Sequence, residues 1–230
     1  MNLIKRLYLL GLSALLICGL AYVQQAHAAD GNCSGQFISS DGYIVSAAHC
    51  QGQKIVAAVF NPNTNEVEIL PAEIVSIYNQ KDLMVLKVNI EGATFLPLGS
   101  PTTAGQAIQV MGWSDPDEYG YDLKTYDGDV YSSNMRMQEP YLIGFIAPVY
   151  LGMSGGAVVN SQHQLVGVIG AMATHEDFQL SNGMSSFGLA VSTQDLTRYL
   201  HALKLDQQPE QVGRNYKQAM VFLIIQGIKE

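Results

Sequence analysis

Short apolar runs broken by turn residues recur from Phe37 to Val191, and this rhythm constrains the fold more than any other feature of the chain. Phe37-Ile38 and Tyr43-Ile44-Val45 flank Ser39-Ser40-Asp41-Gly42, and Asp-Gly between such runs is a strong hairpin signal. Further strands are expected over residues 54–60, 66–69, 73–77 and 83–88, punctuated by Asn61-Pro62-Asn63 and Asn79-Gln80-Lys81-Asp82. Residues 95–101 read as a crossing segment between two halves. The second half carries expected strands at 107–111, 129–131, 141–145, 157–160, 165–172 and 187–191. Short strands at this spacing, in a chain with 22 Gly, specify an all-β sandwich or barrel. One helix stands apart. Ser192-Thr193-Gln194-Asp195 resembles a capping box with Asp in place of Glu, and Leu196, Tyr199, Leu200 and Leu203 continue it as an apolar stripe.

The 230 residues are 48% hydrophobic and 14% charged, which excludes a disordered, collagen-like or coiled-coil chain. A net charge of -8 disfavours nucleic acid as a partner, because that affinity rests on Lys and Arg. Lys5 and Arg6 precede an apolar stretch over residues 7–23, followed by Ala26-His27-Ala28. This is the pattern of a secretory signal peptide over 1–28, cut after Ala28, with an uncleaved anchor as the alternative. After cleavage no membrane segment is expected, and the destination is periplasmic or extracellular. Export leaves Cys33 and Cys50, an even pair that in an oxidising compartment is most simply one disulfide. Two cysteines without a His-rich cluster do not make a zinc site, and no metal or other cofactor is expected.

Three segments carry chemistry. His49 lies in Ser46-Ala47-Ala48-His49-Cys50, Asp82 opens Asp82-Leu83-Met84-Val85-Leu86-Lys87-Val88, and Ser154 sits in Gly152-Met153-Ser154-Gly155-Gly156. An alcohol is a weak nucleophile at neutral pH and needs a base to take its proton. Histidine suits that task, and a buried Asp fixes its tautomer. Gly152 lets the chain turn so that its own N–H and that of Ser154 converge on a developing oxyanion.

These three segments resemble the signatures of chymotrypsin-fold (trypsin-like) serine proteases. The short spacings and the entry from Gly105 to Trp113 are more similar to the compact bacterial HtrA-type branch. The resemblance implies two six-stranded antiparallel barrels with a C-terminal helix, over about 29–95 and 102–203 of a peptidase domain spanning 29–203. It implies His49 as general base, Asp82 as its orienting partner, Ser154 as nucleophile, and Gly152 with Ser154 as the oxyanion hole. Cys33–Cys50 resembles the disulfide beside the catalytic His in the animal branch. Pro148 stands at the expected base of the primary pocket and Gly170-Ala171-Met172 at its wall, which implies a small or shallow apolar pocket and disfavours Lys or Arg.

The chain also departs from the family. No PDZ module is expected after Leu203. Met153 stands where zymogens carry an Asp that captures a new N-terminus. The family's first strand is expected to be missing from the first barrel, leaving an open edge. The tail, 204–230, holds the apolar run Met220-Val221-Phe222-Leu223-Ile224-Ile225, readable as a helix, a dimer contact or the absent strand supplied from the far end of the chain. Residues 115–131 hold six acids and read as a solvated surface loop, and His163, His175 and His201 as surface residues. The leading function is therefore an exported serine endopeptidase acting on a polypeptide. The alternatives are a catalytically silent protease-fold protein that binds a peptide or partner, and an esterase. Oligomeric state is not specified.

Overall fold

The computed structural model describes residues 31–115, 122–135, 140, 142–174, 186–205 and 215–228. The first 28 residues, read as a signal peptide, lie outside these, as do His175 and residues 116–121 of the acidic stretch. Strands β1 (Gly31–Phe37), β2 (Tyr43–Ser46), β3 (Gly52–Asn61), β4 (Glu66–Tyr78) and β5 (Leu83–Lys87) precede β6 (Ala107–Trp113), β7 (Leu123–Ser132), β8 (Ile143–Ile146), β9 (Ala157–Asn160), β10 (Leu165–Thr174) and β11 (Ser186–Ser192). Helix α1 (Thr193–Ala202) and strand β12 (Met220–Ile228) follow among the described residues. Two closed barrels result, ordered β1-β12-β3-β4-β5-β2 and β10-β11-β8-β7-β6-β9.

The hairpin around Asp41-Gly42 forms, with the Ile38 N–H donating to the Tyr43 carbonyl at 2.9 Å. The strands expected over 66–69 and 73–77 are one continuous strand, β4, with Pro71 inside it. Residues 66–72 of β4 pair with β3 and residues 73–78 with β5, so Pro71 sits just before the point where the strand changes partner. There a missing N–H interrupts only one ladder. The acidic stretch is likewise not all loop. Leu123–Ser132 is a strand whose Val130 is buried while Asp127 and Asp129 face outward. The crossing segment joins the halves directly. The Leu96 N–H donates to the Phe37 carbonyl in the first barrel, and the Gly99 N–H to the Leu165 carbonyl in the second.

The first barrel is closed by the last strand. β12 lies between β1 and β3, antiparallel to both, with Cys33 opposite Leu223 and Leu223 opposite Ala57. Val221, Leu223 and Ile225 enter the first-barrel core beside Phe37, Ile44, Met84 and Leu86. Alternate residues face the other way: Phe222 meets Trp113 edge-on at 5.9 Å. The edge expected to be open is therefore covered on both sides by backbone pairing.

Helix α1 starts where Ser192 Oγ accepts the Asp195 N–H at 3.4 Å. Leu196, Tyr199 and Leu200 are buried in a cluster that also holds Ile38, Val45, Leu83 and Val85 of the first barrel and Met111, Ala157 and Val168 of the second. The helix thus packs across the junction. Among the described residues no helix is long and apolar enough to cross a membrane.

Burial of the Tyr199 phenol raises its pKa above the ordinary 10.0, partly offset by Ser76. The folded state therefore favours the neutral phenol, and this contribution is intact below the unfolded value. It is lost as pH rises through the higher folded value, because the unfolded chain ionises first. Unfolding free energy from urea titrations should fall above about pH 10, and Tyr199→Phe should flatten that fall. An unchanged slope would remove Tyr199 from the explanation.

Candidate active site

His49 occupies a single tight turn, Ala48–Cys50, directly after β2. Cys50 is disulfide-bonded to Cys33 on β1, with Cα atoms 6.3 Å apart, so the turn is covalently tied to the barrel wall. Asp82 follows a second tight turn, Asn79–Lys81, and has a positive φ of 49°. A non-glycine residue held there costs about 1–3 kcal/mol and persists only where its surroundings over-determine it. The carboxylate supplies part of that hold. Asp82 Oδ2 lies 2.9 Å and Oδ1 3.1 Å from His49 Nδ1, and Oδ1 also accepts the His49 backbone N–H at 2.9 Å. With Nδ1–H donating to the carboxylate, Nε2 of the neutral ring is left as the acceptor. The Asp82 side chain is 10% exposed and that of His49 45%, so the charge is sheltered and the ring reaches solvent.

Ser154 is positioned through its backbone. The Ser34 N–H donates to the Ser154 carbonyl at 2.8 Å, and Cys50 Sγ lies 4.0 Å from the same oxygen. Ser34 Oγ donates to the Gly152 carbonyl at 2.9 Å while accepting the Trp113 N–H at 2.7 Å. Ser46 Oγ donates to the Ser34 carbonyl at 2.7 Å. One buried serine on β1 therefore holds both sides of the Ser154 turn against the strand pair that leads to His49. No hydrogen bond joins the Ser154 hydroxyl to the His49 ring among the described residues. Such bonds commonly tighten only when substrate is bound.

Two glycines are required by geometry. Gly155 has φ +80°, and a Cβ there would run into the Ser34 carbonyl and Ser46 Oγ. Gly152 has φ +88°, and a Cβ there would strike Asn32 Nδ2 and come within 2.8 Å of the Asp115 nitrogen. Among the described residues the N–H groups of Gly152 and Ser154 have no protein acceptor. Between them Met153 is fully buried in the second-barrel core, its N–H donating to the Tyr150 carbonyl at 3.1 Å. An apolar anchor thus holds the loop at the position where an Asp was noted as the family's alternative. If the Gly152 N–H serves as the oxyanion donor that the family resemblance implies, Gly152→Ala should lower kcat about 100-fold to 1,000-fold. KM and thermal unfolding locate the effect; a kcat within threefold or so of wild type would show that this N–H is not used.

The specificity residues are less gathered. Pro148 is exposed, Gly170 is buried at a bulge in the β10–β11 pairing, Ala171 is half-buried, and Met172 is 49% exposed. His163 is not a free surface residue: its ring stacks on Tyr216 at 3.8 Å. His201 is exposed on α1. Among the described residues no three His, Cys, Asp or Glu side chains converge as metal ligands would. Sequence reasoning missed Ser34 and Ser46, whose role depends on strands meeting in space and leaves no local signature.

A sheltered carboxylate on a histidine, a serine in a glycine turn and two barrels around them define a trypsin-like peptidase architecture. The family model for the trypsin-like peptidase domain matches residues 33–168, and the chain belongs to that family. It is 29% identical over 140 residues to the serine endoprotease DegS of Haemophilus influenzae, a match covering 59% of this chain and 40% of that one. It is 28% identical over 141 residues to a probable periplasmic serine endoprotease, DegP-like, of Halomonas elongata, covering 59% and 28%. The chain matches less than half the length of these curated relatives. Among solved structures, the MamO protease domain of Magnetospirillum magneticum in its apo form shares the fold with a TM-score of 0.58 at 20% identity, over 78% of this chain and 98% of that one. A serine endoprotease of Yersinia pestis does so with a TM-score of 0.60 at 23% identity, over 80% and 65%.

Proposed function

We propose that this chain is an exported serine endopeptidase that cleaves polypeptides through an acyl-enzyme intermediate. The observation that carries the reading is the paired contact of the Asp82 carboxylate with His49 Nδ1, beside a Ser154 loop that offers two uncommitted N–H groups. Ser154 Oγ attacks the scissile carbonyl carbon while His49 Nε2 takes the hydroxyl proton. The carbonyl oxygen, now carrying the negative charge, lies between the N–H groups of Gly152 and Ser154. Asp82 stays ionised and steadies the imidazolium. The imidazolium gives its proton to the leaving amine, the C–N bond breaks, and an ester to Ser154 remains. Water then attacks that ester, losing a proton to His49, and the acid product leaves as Ser154 regains a proton.

The primary pocket in this reading is small or shallow and apolar, formed by Pro148 and the wall Gly170-Ala171-Met172. The substrate is a polypeptide; no cofactor, metal or nucleic acid takes part, and the mature chain, freed of residues 1–28, leaves the membrane. The peptidase unit is 29–203 and the 204–230 tail completes its first barrel.

A fluorophosphonate probe tests the proposal directly. The wild-type chain should be labelled on Ser154 and Ser154→Ala should not. Peptide turnover alongside labelling separates a peptidase from an esterase. A folded chain that is not labelled would favour the catalytically silent, peptide-binding alternative.

A further inference from the structure

The geometry points to Asp195 as a positioning residue that acts through Lys81 on Asp82; this rests on the peptidase reading above. In the sequence Asp195 is accounted for as part of a helix cap, and its N–H and carboxylate both meet Ser192 Oγ, but the carboxylate also reaches beyond the cap. Its carboxylate is 7% exposed and lies 3.8 Å from the Lys81 ammonium, 3.4 Å from the Arg198 guanidinium and 3.4 Å from Ser192 Oγ. A carboxylate is seldom sheltered to this degree without a partner, because stripping its water is costly.

The two cations differ in kind. Arg198 is one turn along the same helix and 68% exposed, so that pair contributes little. Lys81 is 22% exposed and belongs to the first barrel, one residue before Asp82. The turn Asn79–Lys81 has no buried residue of its own. Contacts at both of its ends come from α1: Tyr78 packs on Tyr199 with ring centroids 5.4 Å apart, and Lys81 meets Asp195. The strained Asp82 follows this turn, and its left-handed backbone needs such outside support. A helix that follows the second barrel in sequence therefore sets the carboxylate that orients the base in the first.

The test uses the full chain with Asp195→Asn, which keeps shape and the cap but removes the charge, with Lys81→Met as an independent variant and Asp195→Glu as the conservative one. The readouts are kcat, KM, thermal unfolding, and the downfield proton resonance of His49 Nδ1–H. Asp195→Asn should lower kcat about tenfold with KM changed less than about twofold, the mark of a displaced catalytic group. It should also shift or broaden the Nδ1–H resonance. Lys81→Met should do the same, the double variant should be little worse than either single one, and Asp195→Glu should recover part of the loss. A lowered unfolding temperature with kcat and the resonance unchanged would leave Asp195 a helix cap and overturn the inference, as would additive effects of the two substitutions. If the wild-type chain neither labels on Ser154 nor cleaves peptides, the peptidase reading fails, and the resonance alone then decides whether α1 positions Asp82.

Discussion

Replacing Ser154 by alanine should lower kcat on a peptide substrate about a millionfold, the scale seen when an activated serine nucleophile is removed. The reason lies in how the parts depend on one another. Without Oγ, the His49–Asp82 pair has no proton to take, and water is not held where the hydroxyl was. What remains is binding and the two N–H groups of Gly152 and Ser154, worth a residual about 1,000-fold over solution. His49→Ala should cost a similar amount, and the double variant should be no slower than either, because base and nucleophile act as one unit. Asp82→Asn should cost about 10,000-fold although it is nearly isosteric. Its amide would turn an N–H toward His49 Nδ1 and favour the wrong tautomer at Nε2. Ser154 is small and only partly buried, so its alanine variant should melt with the wild type. Turnover by Ser154→Ala within tenfold or so of wild type would place the hydrolysis elsewhere.

The second large effect should come from the last strand, well beyond His49, Asp82 and Ser154 in the sequence. β1 pairs with β2 at only two positions, Gln36 with Val45 and Phe37 with Ile44, but with β12 at six, from Gly31–Ile225 to Gln36–Met220. Ser34, which holds the carbonyls of Ser154 and Gly152, lies in the part of β1 paired only with β12. Removing residues 215–230 should therefore release Ser34, disorganise the oxyanion loop and abolish labelling at Ser154. Adding a synthetic peptide of residues 215–230 should restore it. A milder version is Leu223→Ala. Leu223 is fully buried in the first-barrel core, so truncation should cost about 2–5 kcal/mol in urea unfolding. A truncated chain that still labels at the wild-type rate would show that β12 is dispensable to the site.

How much of this could be read from the residues varies with how local the cause is. The hairpin at Asp41-Gly42 and the start of α1 at Ser192 are decided within four residues, by turn chemistry and capping, and both appear where expected. The strands expected at 66–69 and 73–77 are one strand because it changes partner between Ala72 and Glu73, a property of the sheet and not of the segment. The strand expected at 129–131 within the acidic run extends back to Leu123, because pairing to β6 continues through residues whose charges alone suggest a loop. Met220–Ile225 was open between helix and strand: an apolar run of that length suits either, and only the vacant positions beside β1 and β3 choose.

The order of residue types along the chain was enough to specify two runs of short strands, a histidine, an aspartate and a serine in glycine-bearing turns, and a cysteine pair. Each of these follows from alternation, turn preference or side-chain chemistry, which act over a few residues. That Ser34 fastens the Ser154 turn, that Asp195 faces Lys81, and that the last strand closes the first barrel were decided only when distant segments packed. Burial and backbone pairing are satisfied collectively, so no short stretch of sequence carries their outcome.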